Sequence, residues 1–515
     1  MKPFYITTSI AYANANPHIG YALELVQADF LARYYRLQGR EVYFLTGVDE
    51  HGLKIQRAAE KAGRTAREHV DQVSKVFEQL AQQLNLSHDR FIRTTEAGHK
   101  EVAQALWRAC RDNGDIYKKK YRAWYNVKEE EFLGLVDEVN DPASFGVDLA
   151  FIEKIEEENY FFKLSKYQDA LLDMLKTRSY VVVPDSRAVE LINFIETRGL
   201  QDVSISREKS KLAWGVAVPE DEDQVMYVWF DALTNYLSAA AKVKDGKIVA
   251  DQKWPADLHC VGKDITRFHA LIWPGMLLSA GIELPKELLA HGFITADGQK
   301  MSKSIGNVVD PFVLLEQYGA EVVRWYLLKE LPTTGDGDYT ESRFKQIFLA
   351  DLANDYGNLV SRVWTMVQKY ANGTIPNVTS ERIAGLAPAL VAEKWREYHQ
   401  AAEVRRIDEA LKAAHQLITH CNRRIDEQKP WVMAKNPEQA EELQELLYQL
   451  LEMIRQATLM LTPALPTTSQ IVAEKVFPNL DPQFWNFELG SQWGGLPSGQ
   501  ALGSEPVFLF PKLAE

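Results

Sequence analysis

The sequence predicts an α/β protein: a Rossmann-like parallel-sheet domain split by an insertion and followed by an all-α bundle. Three observations carry this. An apolar run at residues 4–10 precedes a helical pattern and a second strand-like run at 41–46, which together make a β-α-β unit. Sheet-like sequence breaks off near residue 116 and resumes near 225. Beyond Gly337 the strands largely stop, and amphipathic helical patterns cover 342–371, 388–424 and 436–462.

Taken in order, residues 4–10 read as a buried strand, since a parallel strand covered on both faces is apolar without alternation. Pro17 suits the first turn of a helix, where a missing N–H costs nothing. Ile19, Leu23, Val26 and Phe30 give that helix an apolar face, and Gly39 ends it. Helical patterns at 65–84 and 96–113 continue the layer. From 116 aromatic residues alternate with short acidic runs, notably through 128–141, before a helical stretch at 167–178 and a strand-like one at 180–183. Strand-like sequence returns at 225–230 and 258–261, and an apolar run at 291–295 leads into an Asp297-Gly298 turn. At 515 residues about three domains are expected. The chain is divided into 1–115 and 226–295 (the split sheet domain), 116–225 (the insertion), 296–350, 351–485 (the helical domain) and a tail, 486–515.

Composition narrows the function. Apolar residues make up 46%, enough for ordinary cores, and no apolar run is long enough to span a bilayer. The N-terminus runs straight into a strand, so no targeting peptide and a cytoplasmic location are expected. Fifty-eight Lys and Arg against seventy-one Asp and Glu give a net charge of −13, which argues against a protein that coats nucleic acid. A shaped RNA could still meet local basic patches at Lys118-Lys119-Lys120, at Arg207 to Lys211 or at Arg423-Arg424, each of which also reads as solvated surface. Cys110, Cys260 and Cys421 lie far apart, so neither a disulfide framework nor a cysteine zinc site is expected.

Two motifs carry the chemistry. His18-Ile19-Gly20-Tyr21 opens a helix, where backbone N–H groups and the helix dipole favour an anion, and where Gly20 permits close approach. Lys300-Met301-Ser302-Lys303-Ser304 offers two ammonium groups and two hydroxyls to the phosphates of a departing pyrophosphate. Each alone has a plainer reading: a histidine N-cap, and a solvated surface loop.

Together, in this order, they resemble the two ATP-handling motifs of class I aminoacyl-tRNA synthetases. The wider sequence is similar to the methionyl branch of that family over essentially its whole length. Ser9 to Asn14, Gly47-Val48-Asp49-Glu50-His51-Gly52, Tyr227 to Ala232, Gly262-Lys263-Asp264-Ile265 with Phe268-His269, Gly357 to Arg362 and Lys429-Pro430-Trp431 carry the resemblance. It implies activation of L-methionine by ATP, with magnesium accompanying the ATP, and transfer to the 3′ end of tRNA(Met). By the same resemblance Ile10, Tyr12, Trp229, Tyr236, Ile265 and His269 line a methionine pocket and Asp49 holds the α-ammonium. His18, Gly20, Tyr21, Gly262, Asp264, Lys300, Ser302 and Lys303 meet ATP, with His18, Gly20, Lys300 and Lys303 catalytic. Segment 296–350 becomes the loop and stem-contact region and 351–485 the anticodon-binding domain, in which Asn358, Arg362 and Trp431 read the anticodon. An aromatic slot suits a polarizable thioether, and unstacked bases suit a tryptophan face.

Three departures from the family pattern stand out. Tyr21 replaces a common second histidine. The insertion lacks cysteine pairs, with Tyr121, Trp124, Tyr125 and Phe132 in the corresponding region, so a zinc-free form is expected. The chain ends soon after the bundle, so a monomer is expected. The alternatives are a class I synthetase for another amino acid and a non-catalytic tRNA-binding paralogue.

Overall fold

The computed structural model describes residues 2–127, 131–135, 141–301, 306–385 and 388–510. They fall into two compact units, each drawn from separated stretches of chain. The first comprises residues 1–17, 43–82 and 88–290; the second comprises 18–42, 83–87 and 291–515.

A seven-stranded sheet organises the first unit. Its strands are β1 (Phe4–Thr8), β2 (Ala11–Tyr12), β3 (Val42–Asp49), β4 (Arg90–Arg93), β5 (Val181–Val183), β6 (Leu258–Gly262) and β7 (Glu287–His291). The spatial order is β2-β3-β1-β6-β7-β5, with β4 also pairing β3. β1 runs parallel to β6, β7 to β5, and β3 to both β2 and β4. Every residue of β1 and of β6 is buried, as expected of central parallel strands covered on both faces. Trp107, Phe230, Trp254, Trp273 and Tyr236 pack into the core of this unit.

Within 116–225, the expected insertion, two antiparallel strands, Ile116–Asn126 and Ile152–Phe162, pair without interruption from Ile116↔Phe162 to Asn126↔Ile152, while β5 of the same span joins the main sheet. Tyr121 and Tyr125 are buried, and Tyr121 meets the Phe161 ring edge-on at 5.0 Å. Lys118, Lys119 and Lys120 are exposed, in keeping with a solvated patch. Arg207 departs from that reading. It is 6% exposed, with its guanidinium over the Tyr125 and Tyr227 rings at 5.0 and 4.7 Å.

Two sequence expectations need correction here. The 225–230 run is not one strand: a strand ends at Met226 and a helix spans Val228–Leu233. That strand pairs within a separate three-stranded sheet rather than the main one. The 388–424 pattern is two helices, Ala389–Glu403 and Ile407–Gln428, broken where Arg405 takes a left-handed conformation (φ 65°).

In the second unit, α1 (Ile19–Leu37) groups with the C-terminal helices. Asp29 explains part of this. Its buried carboxylate meets Arg324 at 2.7 Å and Arg33 at 2.8 Å, and accepts from the Ser87 N–H and hydroxyl at 2.6 Å. A small sheet of β8 (Ile294–Ala296), β9 (Gln299–Lys300) and β10 (Gly337–Tyr339) follows β7, and the helical stretch from Glu341 to Tyr370 begins the bundle.

Candidate functional site

In the first unit, the ends of adjacent parallel strands create a cleft. The chain leaves β1 through Ser9 and Ile10, β3 ends at Asp49, and β6 leads into the turn Lys263–Ile265. Ligands of open α/β sheets bind at these carboxyl ends. Ile10, Tyr12, Asp49, Trp229, Tyr236, Ile265 and His269 all line one narrow cavity. Ser9, Ala232 and Leu233 complete the wall. Residues as far apart in sequence as Ile10 and His269 therefore converge, all seven of them expected from the sequence.

The walls pack and hydrogen-bond against one another. Trp229 stacks on Phe268 at 3.8 Å and meets Tyr12 edge-on at 6.4 Å. His269 Nδ1 lies 3.0 Å from the Ile265 carbonyl, which only accepts, so Nδ1 carries the proton. Nε2 then accepts from the Tyr236 hydroxyl at 2.7 Å. Behind Tyr236, the His259 ring lies 4.3 Å away and pairs with Thr7 Oγ1 at 2.7 Å. Burial, and secondarily His269, holds the His259 imidazole well below its usual pKa, so it stays neutral.

Asp49 is 2% exposed and accepts from the His51 N–H at 3.3 Å. The His51 side chain binds Asp231 at 2.6 Å, and His99 binds the other Asp231 oxygen at 2.7 Å. Burial opposes the charge on Asp231. The two imidazoles outweigh it and hold the carboxyl far below the usual carboxylate range. Phe268, His51, His99 and Asp231 were not singled out as site residues in the sequence. Phe268 had a usable signal, since it falls three residues after Ile265 and beside His269. His51 and Asp231 fall in segments that carry the resemblance, but the buried network's pairing had no local signal, because its partners are 180 and 132 residues apart. Gly262 is buried at the end of β6, and Asp264 is exposed just beyond it.

In the second unit, His18 is exposed and is the N-cap of α1. Its Nδ1 accepts from the Gly20 N–H at 3.1 Å, which leaves the proton on Nε2 and makes that nitrogen a donor. A Cβ on Gly20 would fall 2.9 Å from His18 Cε1, so any other residue would disturb the cap. Pro17 precedes the cap instead of starting the helix. The expectation of unpaired N–H groups at this terminus is corrected: Ile19 N–H donates to Val309 O at 3.1 Å, and Tyr21 and Ala22 both donate to His18 O. What remains for an anion is the helix dipole and the imidazole Nε2–H. Tyr21 is buried, at 9% exposure.

Lys300 is exposed in β9, opposite Thr295. Ser302, Lys303 and Ser304 lie outside the described residues, as does the Phe132 side chain. Asn358 and Arg362 sit four residues apart on the helix Asn358–Tyr370, the first exposed and the second half-buried, with Arg362 3.2 Å from Asp426. Trp431 stands 42% exposed on the short helix Pro430–Met433, whose buried residues are Pro430 and Met433. Among the described residues, no group of three or more His, Cys, Asp or Glu side chains could hold a metal ion, and no helix is long and apolar enough to cross a membrane.

A family model described as "tRNA synthetases class I (M)" matches residues 4–139 and 134–364. The chain belongs to this family. It is 42% identical to the methionine–tRNA ligase of Thermosynechococcus vestitus over 524 aligned residues, covering 99% of this chain and 98% of that one. It is 40% identical to the methionine–tRNA ligase of Thermotoga maritima, covering 98% and 80%. Among solved structures it is similar to Mycobacterium tuberculosis methionyl-tRNA synthetase in complex with methionyl-adenylate. There the TM-score is 0.91 and the identity 39%, with 99% of this chain and 100% of that chain covered. These likenesses extend the class I fold over both units, so the fold expected from the sequence holds.

Proposed function

We infer that this chain activates L-methionine with ATP and transfers the methionyl group to the 3′ end of tRNA, releasing diphosphate and AMP. One observation carries the reading: a narrow aromatic cleft with a buried carboxylate, at the carboxyl edge of a parallel sheet, in a chain 42% identical over nearly its full length to a methionine–tRNA ligase.

The chemistry follows from the residues. The apolar walls of Ile10, Tyr12, Trp229 and Ile265 suit an unbranched thioether, and aromatic rings favour its sulfur. Tyr236 and His269 give the cleft one polar end, and Asp49 supplies the charge for an α-ammonium. The methionine carboxylate attacks the α-phosphorus of ATP and pyrophosphate leaves. A ribose hydroxyl then attacks the adenylate carbonyl and AMP leaves. No side chain forms a bond in either step, so catalysis is positioning and electrostatic stabilisation. His18 Nε2–H, the α1 dipole, Lys300 and Lys303 meet the growing phosphate charge, while Gly262 and Asp264 meet the nucleoside. Magnesium arrives with the ATP, bound by its phosphates. Asn358, Arg362 and Trp431 present a hydrogen-bonding and stacking surface to unstacked anticodon bases. By function the chain divides into a split sheet domain at 1–115 and 226–295, an insertion at 116–225, a loop and stem-contact region at 296–350, an anticodon-binding domain at 351–485 and a tail at 486–515.

The test is ATP–pyrophosphate exchange with each of the twenty amino acids, without tRNA. Methionine alone should support exchange. Exchange with a different amino acid, or with none, would overturn the assignment.

A further inference from the structure

We propose that Glu24 and His291 are positioning residues for adenylate formation: a buried, hydrogen-bonded clamp that fixes the stem of the 300–304 segment to the helix opened by His18. The proposal rests on the activity inferred above and assigns a task to two residues that the mechanism leaves unused.

Glu24 lies in the second turn of α1 and is 4% exposed; His291, at the end of β7, is 6% exposed. Two ionisable side chains are buried together there, which is costly unless they are paired. They meet at 2.9 Å, His291 Nε2 to Glu24 Oε2. The same ring places Nδ1 2.8 Å from the Gly292 carbonyl. A carbonyl only accepts, so Nδ1 carries a hydrogen, and the contact with Glu24 needs a second hydrogen between ring and carboxyl. The ring is thus bonded at both nitrogens, and its orientation is fixed at both ends.

What the clamp holds is the run that leads to Lys300. A Cβ on Gly292 would fall 2.0 Å from the Gly335 carbonyl oxygen, so the backbone is pressed against residues 335–336 there. Phe293 N–H then donates to Asp336 at 2.8 Å, and Thr295 Oγ1 and Gly298 N–H donate to Asp338 at 2.5 and 2.8 Å. From His291 to Gly298 the stem is therefore anchored to its neighbours. On the far side, Val309 O accepts the Ile19 N–H at 3.1 Å, and Asp310 caps the helix Pro311–Tyr318. Both stems of the lysine-bearing segment thus end on the first two turns of α1. A solvated surface loop needs neither tie. A segment that must deliver ammonium groups to a fixed phosphate position relative to His18 needs both, because small displacements of reacting groups are costly.

The experiment uses the full chain and four variants, Glu24→Ala, Glu24→Gln, His291→Ala and the double alanine. It measures kcat and KM for methionine-dependent ATP–pyrophosphate exchange, methionine affinity by tryptophan fluorescence, and Tm. Either single alanine should lower kcat about 100-fold, the scale of an ångström-level misplacement, with methionine affinity unchanged. The double variant should be no worse than the worse single one, since both remove the same link. Glu24→Gln should recover most of the rate, because its amide N–H can donate to Nε2 of a neutral ring. The proposal is overturned by wild-type kcat in the alanine variants, by multiplicative losses in the double variant, or by a Gln variant as slow as the Ala variant. That last result would make Glu24 act on substrate by its charge. A matching loss of methionine affinity would also overturn it, as general structural damage. Absence of exchange in the unsubstituted chain is a separate outcome, which removes the functional reading and this proposal with it.

Discussion

His18 shows how the phosphate-donor and helix-cap readings of one residue combine. Capping α1 through Nδ1 is what fixes the hydrogen on Nε2, so the cap leaves that nitrogen as a donor for the proposed phosphate contact. Gly20 is explained first by that cap and only then by any ligand. His259 illustrates what a single buried ring does to stability. Its folded pKa lies well below its usual value, whereas in the unfolded chain the ring protonates near pH 6.5. The unfolded state therefore binds more protons below about pH 6.5, and stability falls as the pH drops through that window, by up to about 1.4 kcal/mol per pH unit for one proton. His259→Gln should flatten the pH dependence of the urea-unfolding free energy between pH 6.5 and 5 by that amount. An unchanged slope would show that His259 is not the group responsible.

At the scale of elements, local pattern was a good guide where one face is buried and a poor one where charge crosses the strands. The helices at 66–83 and 97–112 match their predicted spans. The long strands of the insertion were not legible as strands, because Lys119↔Asn159 and Lys120↔Glu158 pair as polar residues across the sheet, leaving little apolar alternation. Helices Leu53–Lys61 and Asp185–Arg198 and strand β4 were likewise not anticipated. On the short helix Pro430–Met433, Pro430 and Met433 are buried, while Trp431 and Val432 are exposed. Trp431→Ala should therefore shift stability by no more than about 0.5 kcal/mol. Pyrophosphate exchange should survive, while the efficiency of tRNA charging falls at least about tenfold, or about 1.4 kcal/mol, within the range of about 1–3 kcal/mol that one stacked base contributes. Equal damage to both reactions would point to a structural tryptophan instead.

For the whole molecule, chain order and compact grouping part company. Residues 18–42 and 83–87 belong with 291–515, and Asp29 is the residue at which three of these stretches meet, through Arg33, Ser87 and Arg324. Burial opposes the Asp29 charge, but Arg324 and then Arg33 outweigh it and depress the carboxyl pKa. Asp29→Asn removes the charge opposite a fully buried guanidinium and should cost about 3–5 kcal/mol, read by urea unfolding. A loss below about 1 kcal/mol would mean that Arg324 is held by its carbonyl partners, Leu84, Pro463 and Ala464, without needing the carboxylate.

The sequence by itself determined the fold class, the family and the identity of the cleft residues, because apolar periodicity and short motifs are local and survive without coordinates. Ile10, Tyr12, Asp49, Trp229, Tyr236, Ile265 and His269 were legible through the family resemblance that those motifs carry, and they line one cavity. Only the tertiary structure decided which nitrogen of His18 and of His269 carries a proton, that Arg207 is buried between tyrosines, and that Glu24 meets His291 across 267 residues. The physical reason is the same in each case. Protonation, burial and pairing are properties of neighbours in space, and those neighbours are fixed by how the sheet and the bundle close, which no local pattern records.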